Sequence, residues 1–216
     1  MKLEGGSTLA LILQRKDNFR LTANSYLMAT EIEKKYRVTE DEAARLRGAL
    51  GELGARDEGE VFEVNTLYAG NGLDVGRCAL RLRQEGGRRA VLTYKERPGA
   101  EPGAVKRRRE IETVVADADA VAALLEALGY RASLVYEKRR STYHLGGAEV
   151  VLDELPFGWY VEIEGEEIDI LDAERRLELT TAECVHETYP ELTVRHGLRA
   201  GGRAEARFQS GEIGNV

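Results

Sequence analysis

The chain has 216 residues, of which 43% are hydrophobic and 32% are charged, a composition typical of a soluble globular domain rather than a disordered or membrane protein. Its formal net charge of -7 gives no overall field that would attract nucleic acid, so we expect no DNA partner. The two cysteines, Cys78 and Cys184, form neither a Cys-x-x-Cys motif nor a disulfide framework, which favours a cytoplasmic protein.

Both ends of the chain lack a sustained hydrophobic period. The longest apolar run near the N-terminus, Leu9 to Leu13, is too short to span a membrane, and charged residues follow it without a signal-peptide cleavage site, so we expect no membrane partner. The patterned region begins at Met28. We interpret residues 1–27 as an N-terminal extension, either a flexible arm or a start assigned too early. Residues 198–216 are rich in Gly, Arg and Ala, which predicts a disordered tail.

Three segments carry the spacing of amphipathic helices. Thr39 and Glu42 form a capping box ahead of a periodic apolar stripe, which predicts a helix that ends at Gly54. Residues 117–129 repeat the pattern, with an Asp at the start and a Gly at the end. A third, longer helix is predicted from about residue 172 to residue 189, just before a proline.

Between the helices the chain alternates in runs typical of β-strands. Several strands separated by short turns, without a βαβ alternation, predict an antiparallel sheet or barrel and an α+β fold. The turn signals are Gly70-Asn71-Gly72, Gly86-Gly87, Pro98-Gly99 and Gly146-Gly147.

The polar sets of these strands are almost entirely ionic. In the first strand Tyr36 and Val38 alternate with charged residues, and a period of two places every second side chain on the same face. The in-phase charges of this strand are Glu31, Glu33, Lys35 and Arg37. Later strands repeat the pattern with Arg81 and Arg83; Lys95; Arg108, Glu110 and Glu112; Lys138 and Arg140; Asp153; and Glu162 and Glu164.

Two interpretations compete for this ionic pattern. One is an open sheet whose charged face is solvated, which is common for any single strand. The other is a closed barrel whose charged face points inward while the helices cover the apolar face. The repeated Glu-x-Glu pairs favour the second, because neighbouring carboxylates are unfavourable unless a cation lies between them.

The residue types suit a particular kind of ligand. Carboxylates at this spacing provide the hard oxygen ligands that Mg²⁺ and Mn²⁺ prefer. Arginine and lysine pairs bind phosphate oxygens, the guanidinium as a bidentate fork and the ammonium as a point charge. The pattern therefore predicts a site for a highly anionic small molecule bridged by a divalent metal ion.

The ordered set of motifs resembles the CYTH domain family, also called triphosphate tunnel metalloenzymes. The segment Glu31-Ile32-Glu33-Lys34-Lys35 matches the Glu-x-Glu-x-Lys signature of the family, and the later charged motifs follow in the family's order. The resemblance covers roughly residues 28–192, and we place the domain at residues 28–197. It implies a closed antiparallel eight-stranded β-barrel with helices packed outside, which binds a triphosphate together with Mg²⁺ or Mn²⁺.

The resemblance also implies roles for the motif residues. The implied metal ligands are Glu31, Glu33, Glu162, Glu164 and Asp153. The implied phosphate-binding residues are Lys35, Arg81, Arg83, Lys95, Arg108, Lys138 and Arg140. Lys35 and Asp153 would also be catalytic, whereas Glu110 and Glu112 have a less certain role.

Three functions fit this resemblance. The first is hydrolysis of a triphosphate, with inorganic triphosphate, thiamine triphosphate or a nucleoside triphosphate as substrate. The second is an adenylyl cyclase of class IV, which would form cyclic AMP from ATP, and the third is a non-catalytic binder of polyphosphate or nucleotide. Several hydrolytic relatives carry a lysine on the C-terminal helix, whereas this chain has no lysine after Lys138 and Arg195 is the nearest cation there. We expect a monomer or a homodimer.

Overall fold

The computed structural model describes residues 32–87, 89–96 and 110–209. Glu31, Arg108 and the predicted N-terminal extension lie outside the described residues. The described elements in chain order are β1 (Glu33–Val38), α1 (Glu40–Glu52), β2 (Arg56–Gly70), β3 (Cys78–Glu85), β4 (Arg89–Glu96), β5 (Glu110–Val115), α2 (Ala118–Ala127), β6 (Tyr130–Leu145), β7 (Ala148–Leu155), β8 (Gly158–Glu164), α3 (Glu167–Arg176), α4 (Tyr189–His196), β9 (Leu198–Ala200) and β10 (Arg203–Ala206).

The first two predicted helices are confirmed. Thr39 caps α1 in a capping box with Glu42, whose backbone N–H donates to the threonine Oγ1 at 3.2 Å. Gly54 follows the helix with a φ of +70°, a conformation that glycine adopts without steric cost. The side chain of Asp117 caps α2 by accepting from the backbone N–H of Ala120.

The predicted third helix is wrong in its bounds. Helix α3 begins before residue 172, at Glu167, and ends at Arg176. Glu178 then adopts a φ of +58°, which a continuing helix excludes. Pro190 does not end a helix but lies in the first turn of α4, where a missing N–H costs nothing because the first helical N–H groups have no partner within the helix.

The eight strands β1 to β8 form one antiparallel sheet in the order β1-β8-β7-β6-β2-β3-β4-β5. The α+β class is confirmed, but the closed barrel is wrong, since no ladder joins β1 to β5 among the described strands. The outer edge of β1 pairs instead with a short segment ahead of α4. The Arg37 N–H donates to the Glu183 carbonyl at 3.2 Å, and the Val185 N–H donates to the Lys35 carbonyl at 2.8 Å. These hydrogen bonds occupy backbone groups of β1 that a ladder between β1 and β5 would require.

The predicted disordered tail is wrong for residues 198–206. Strands β9 and β10 pair with each other, and β10 pairs in parallel with β6, with Ala204 opposite Leu134. Ala204 and Ala206 are buried, so even this glycine- and arginine-rich segment places small apolar side chains in a core. The residues after 209 lie outside the described part of the chain.

The two faces of the sheet differ in chemistry. One face carries apolar side chains that α1 and α3 cover over β1 and β6 to β8, and that α2 covers over β2 to β4. Val161 and Ile163 of β8, for example, are fully buried in one cluster with Leu46 of α1 and Ile170 of α3. Full burial of such a side chain contributes roughly 1.5–3 kcal/mol. No helix in the described part of the chain is long and apolar enough to cross a membrane.

The opposite face is hereafter the ionic face. It carries the predicted charged residues of β1, β3 to β5 and β6 to β8, together with a small apolar cluster on which α4 packs. Tyr189 and Leu192 of α4 are buried there against Tyr136 and Tyr160. Helix α4 is therefore the described helix that reaches the ionic face.

Candidate functional site

Strand register brings the centre of the ionic face together. Lys35 of β1 lies directly opposite Glu162 of β8, and Arg140 of β6 lies directly opposite Asp153 of β7. Because opposite residues in an antiparallel pair point to the same face, four residues that are far apart in the chain become neighbours. The period-two pattern of each strand provides the common face, and the ladder provides the proximity.

Arg140 holds two carboxylates at once. Its Nε donates to Asp153 Oδ1 at 2.8 Å and its Nη2 donates to Asp153 Oδ2 at 2.5 Å, which is a bidentate pair. The same Nη2 donates to Glu162 Oε2 at 2.6 Å. Lys35 Nζ lies 3.2 Å from the other oxygen of Glu162, so these four side chains form one continuous ionic network.

Lys138 is a buried member of this network. It is 3% exposed, and its Nζ lies 3.4 Å from Asp153 Oδ2 and 3.4 Å from Glu63 Oε2. Burial and the neighbouring charge of Arg140 lower the pKa of Lys138 despite these carboxylates. Its ammonium is thus a desolvated cation held between two carboxylates.

The two buried carboxylates remain ionised. Burial alone raises the pKa of Asp153, but the charges of Arg140 and Lys138 and the hydrogen bond from Tyr189 outweigh burial and hold the pKa well below its usual range. Burial likewise raises the pKa of Glu63, while Lys138, Arg140 and Arg83 lower it further than burial raises it. The cationic side chains therefore set the protonation state of this cluster.

The ionic face continues across β3, β4 and β5. Arg81 Nη2 donates to Thr93 Oγ1 at 3.3 Å and lies 3.5 Å from Glu112 Oε1, while Thr93 donates to the same carboxylate at 2.6 Å. Lys95 Nζ lies 2.8 Å from Glu110 Oε2. The Nε of Arg81 is buried with no hydrogen-bond partner among the described residues. A buried donor without an acceptor is uncommon in folded proteins.

Arg83 links the central network to the charged residues of β3 to β5. It lies opposite Asn65 of β2, 4.0 Å from Glu63 Oε1 through its Nη1 and 2.9 Å from Glu85 Oε1 through its Nε. Because Glu63 also contacts Lys138, one carboxylate lies between a cation of β3 and a cation of β6. The cations of both parts of the face therefore belong to one site.

Every predicted site residue within the described ranges lies on this face. The site brings together Lys35, Lys138, Arg140, Asp153 and Glu162 at its centre, and Arg81, Arg83, Lys95, Glu110 and Glu112 along β3 to β5. Glu33 and Glu164 lie opposite each other at the far end of β1 and β8. The roles predicted for Glu31 and Arg108 fall on residues that the structure does not describe.

The acidic end of the face carries carboxylates from three neighbouring strands. Glu164 lies directly between Glu33 of β1 and Glu149 of β7 in the ladder. Within the described ranges no three His, Cys, Asp or Glu side chains converge on one point that could hold a metal ion. The donor set of Glu33 and Glu164 is nevertheless the hard-oxygen type that Mg²⁺ and Mn²⁺ prefer.

Four site residues were absent from the sequence prediction. Glu63 and Asn65 of β2 alternate with Phe62 and Val64, so the period-two rule applied to β2 could have placed them on the ionic face. Glu85, which follows Arg83 in the same phase, could have been found in the same way. Tyr189 carried no such signal, because it precedes a proline at a predicted helix end.

Helix α4 contributes a tyrosine, and no lysine, to the ionic network. Tyr189 donates from its hydroxyl to Asp153 Oδ2 at 2.7 Å. Arg195, the nearest cation of α4, is 62% exposed and forms an ion pair with Glu187. Arg195 thus pairs at the surface, and the α4 side chain that reaches the ionic network is Tyr189.

Comparison with known proteins identifies the class. The family model of the CYTH domain matches residues 29–195, and the chain belongs to that family. The solved structure of the PH1012 protein from Pyrococcus horikoshii OT3 has a TM-score of 0.62 at 27% identity and covers 75% of this chain and 98% of that chain.

Two further solved structures share the fold. An adenylate cyclase candidate from Vibrio parahaemolyticus has a TM-score of 0.60 at 22% identity, covering 75% of this chain and 96% of that chain. An adenylyl cyclase candidate from Hippeastrum that shows a dominant triphosphatase activity has a TM-score of 0.57 at 19% identity, covering 76% of this chain and 94% of that chain. A comparison with curated protein sequences finds no match.

Proposed function

We propose that this chain is a metal-dependent triphosphatase that binds its substrate on the ionic face. The observation that carries the proposal is the set of desolvated cations at one centre. Lys138, Arg140 and Lys35 converge there, and Arg83 approaches from the other half of the sheet through Glu63. Each of these cations contacts a carboxylate, so the protein itself holds the cluster in place, which reduces the ordering cost of binding.

The types of these cations, and their convergence, support a triphosphate as the ligand. Arginine forks suit the paired oxygens of a phosphate group, and the buried ammonium of Lys138 adds a point charge at low local dielectric. An arriving triphosphate would offer Arg140 and Lys35 an anionic partner other than Glu162. Glu162 would then join Glu33 and Glu164 as a metal ligand, and the bound Mg²⁺ or Mn²⁺ would supply Lewis-acid charge at the phosphoryl oxygens.

A mostly apolar cleft near the backbone of Arg81 favours an organic triphosphate among the possible substrates. Its volume is about 360 Å³, and its lining includes Leu67, Ala79, Leu134 and Val194. Leu67 lies directly opposite Arg81 in the β2–β3 ladder, so the cleft adjoins the backbone of that arginine. An apolar space of this size suits the ring of an ester better than it suits inorganic triphosphate.

Product analysis tests the proposal. Purified protein is incubated with ATP, thiamine triphosphate or inorganic triphosphate, each with Mg²⁺ or Mn²⁺, and phosphate, pyrophosphate and cyclic AMP are quantified. Release of phosphate that requires the metal supports the triphosphatase. Formation of cyclic AMP with pyrophosphate would replace it with the adenylyl cyclase, and tight triphosphate binding without any product would replace it with the non-catalytic binder.

Matched variants assign the activity to the ionic face. Arg83→Ala removes a cation that is largely buried there, whereas Arg45→Ala removes an exposed arginine of α1 that pairs with Glu178. We expect Arg83→Ala to weaken inorganic triphosphate binding at least tenfold in a salt-sensitive manner, and Arg45→Ala to leave it unchanged. Equal affinities of the two variants would place the triphosphate elsewhere.

A further inference from the structure

Tyr189 occupies the point where α4 meets the ionic face. It is 6% exposed, and its hydroxyl donates to Asp153 Oδ2 at 2.7 Å. Its ring lies beneath two ammonium groups, with Lys35 Nζ 4.2 Å and Lys138 Nζ 5.3 Å from the ring centroid. A single side chain therefore contacts the two lysines and the aspartate of the central network.

The ring acts on the lysines without neutralising them. An aromatic face attracts a cation through its quadrupole, and the attraction grows when the cation is desolvated, as Lys138 is. A carboxylate in the same place would compete with a phosphate for these ammonium groups, whereas the ring carries no formal charge. Lys35 Nζ also donates to the Glu187 carbonyl at 3.1 Å, so its ammonium is directed by α4 and by the segment just before it.

The hydroxyl acts on the orientation of Asp153. The Oδ2 atom of this carboxylate accepts from Tyr189 and from Arg140, and Lys138 Nζ lies 3.4 Å away. The Tyr189 hydroxyl is the donor in this hydrogen bond, because an ionised carboxylate can only accept. A carboxylate with both oxygens engaged in this way keeps one rotamer.

The backbone around Tyr189 is anchored independently of the ionic network. Thr188 and Glu191 form a capping box, in which the Thr188 N–H donates to Glu191 Oε2 at 2.8 Å. Thr193 Oγ1 donates to the Tyr189 carbonyl at 2.8 Å, and Leu192 is buried in the cluster below. These contacts at the start of α4 hold the Tyr189 ring in place without any contribution from a ligand.

We propose that Tyr189 is a positioning residue of the triphosphate site, with two separable actions. Its ring holds the ammonium groups of Lys35 and Lys138 in the positions that bind the anion, and its hydroxyl holds Asp153 in the orientation that turnover requires. This inference rests on the proposed function. It assigns to α4 a role that acts through three other residues and not by contact with the reacting atoms.

Two substitutions separate the actions. Tyr189→Phe removes only the hydroxyl, and we expect kcat to fall about tenfold with KM for the hydrolysed triphosphate changed by less than about twofold. Tyr189→Leu removes the ring as well, and we expect the Kd for inorganic triphosphate, measured by calorimetry, to rise about tenfold. The control is Tyr36→Phe, which also deletes a buried tyrosine hydroxyl that donates to a carboxylate, that of Glu174, away from the ionic face.

The outcomes distinguish this inference from the proposed function. Wild-type protein that neither binds nor hydrolyses ATP, thiamine triphosphate or inorganic triphosphate overturns the proposed function. Wild-type protein that does both, with Tyr189→Phe matching Tyr36→Phe in kcat, overturns the role of the hydroxyl. A Tyr189→Leu variant that melts as a folded protein and binds inorganic triphosphate as tightly as Tyr189→Phe overturns the role of the ring.

Discussion

Asp153 is fully buried and yet ionised, because three neighbours direct protons or positive charge at it. Arg140 contacts both of its oxygens, Tyr189 donates to one of them, and Lys138 lies 3.4 Å away. Such a residue stabilises the fold only as long as all partners are present, since burying a charge costs several kcal/mol. The centre of the site is therefore also a determinant of stability.

Replacing Asp153 by Asn leaves two buried cations short of a counter-charge. We expect the free energy of unfolding to fall by about 3–5 kcal/mol, the cost of breaking a buried ion pair on one side. Urea denaturation at neutral pH measures the change. Glu178→Gln breaks the exposed pair with Arg45 and should change the free energy by less than about 0.5 kcal/mol. Similar losses for the two variants would show that the central network contributes nothing specific.

The depressed pKa values of Asp153 and Glu63 predict loss of stability in acid. A carboxyl group whose pKa is lower in the folded state than in the unfolded state stabilises the fold above its unfolded pKa, which is about 3.9 for Asp and about 4.3 for Glu. This contribution is lost as the pH falls from the unfolded pKa through the folded pKa. The unfolding free energy should therefore decline steeply as the pH falls below about 4. Urea midpoints measured from pH 7 to pH 3 should decline less for Asp153→Asn than for the wild-type protein. Parallel pH profiles of the two proteins would contradict the lowered pKa of Asp153.

Period-two alternation predicts residues of the site better than it predicts their partners. It places Lys35, Arg140 and Asp153 on one face because each strand obeys the rule locally. It does not specify register, so the contact of Glu63 with both Lys138 and Arg83 is unpredictable from any one strand. The contact of Tyr189 with Asp153 is also unpredictable, because the pattern of a strand does not indicate which helix packs on the ionic face.

At the scale of elements, α4 and the short segment ahead of it have the largest effect on the site. The segment covers the edge of β1 and supplies a carbonyl to Lys35, and α4 supplies Tyr189. The sequence predicts one helix across this region because helical periodicity continues past Leu177. The positive φ of Glu178 and the fresh capping box at Thr188 divide it, which places the start of α4 beside the site.

The two capping boxes allow an internal comparison. Thr188→Ala and Thr39→Ala remove the same cap from α4 and α1, and each should lower the free energy of unfolding by about 1 kcal/mol. We expect Thr188→Ala alone to weaken inorganic triphosphate binding in calorimetry, by about threefold or more, because α4 presents Tyr189. Equal affinity in both variants would mean that the start of α4 does not govern the site.

Gly197 joins α4 to the terminal strands at close range. A Cβ atom at this position would lie 2.5 Å from the Glu205 carbonyl oxygen and 2.6 Å from that of Thr193, both of them backbone atoms. Gly197→Ala should therefore lower the free energy of unfolding by about 1–3 kcal/mol, since the backbone must shift. Gly48→Ala, in α1 with no atom within 4 Å of the added Cβ, should raise it by about 0.5–1 kcal/mol. Thermal and urea unfolding compare the two, and a gain for Gly197→Ala would refute the contact.

At the scale of the whole molecule, the sheet carries two separate apolar cores on one side, and the ionic network with the smaller apolar cluster under α4 on the other. The core under α1 and α3 holds the strands of Lys35, Arg140 and Asp153, while the core under α2 holds the strands of Arg81 and Lys95. The ionic pattern and the helices together predict this division of faces. Closure is not predictable in the same way, because it depends on which group pairs with the edge of β1, and that partner lies far away in the sequence.

The parallel pairing of β10 with β6 shows that the folding unit extends beyond the family match, which ends at residue 195. A chain ended at residue 197 would leave the main-chain groups of β6 around Leu134 and Tyr136 open to a strand of another molecule. Such a truncated protein should self-associate, which light scattering would detect, whereas one ended at residue 209 should remain dispersed. For anyone choosing where to cut this gene for expression, the last few residues of the sheet decide between a usable preparation and an aggregate.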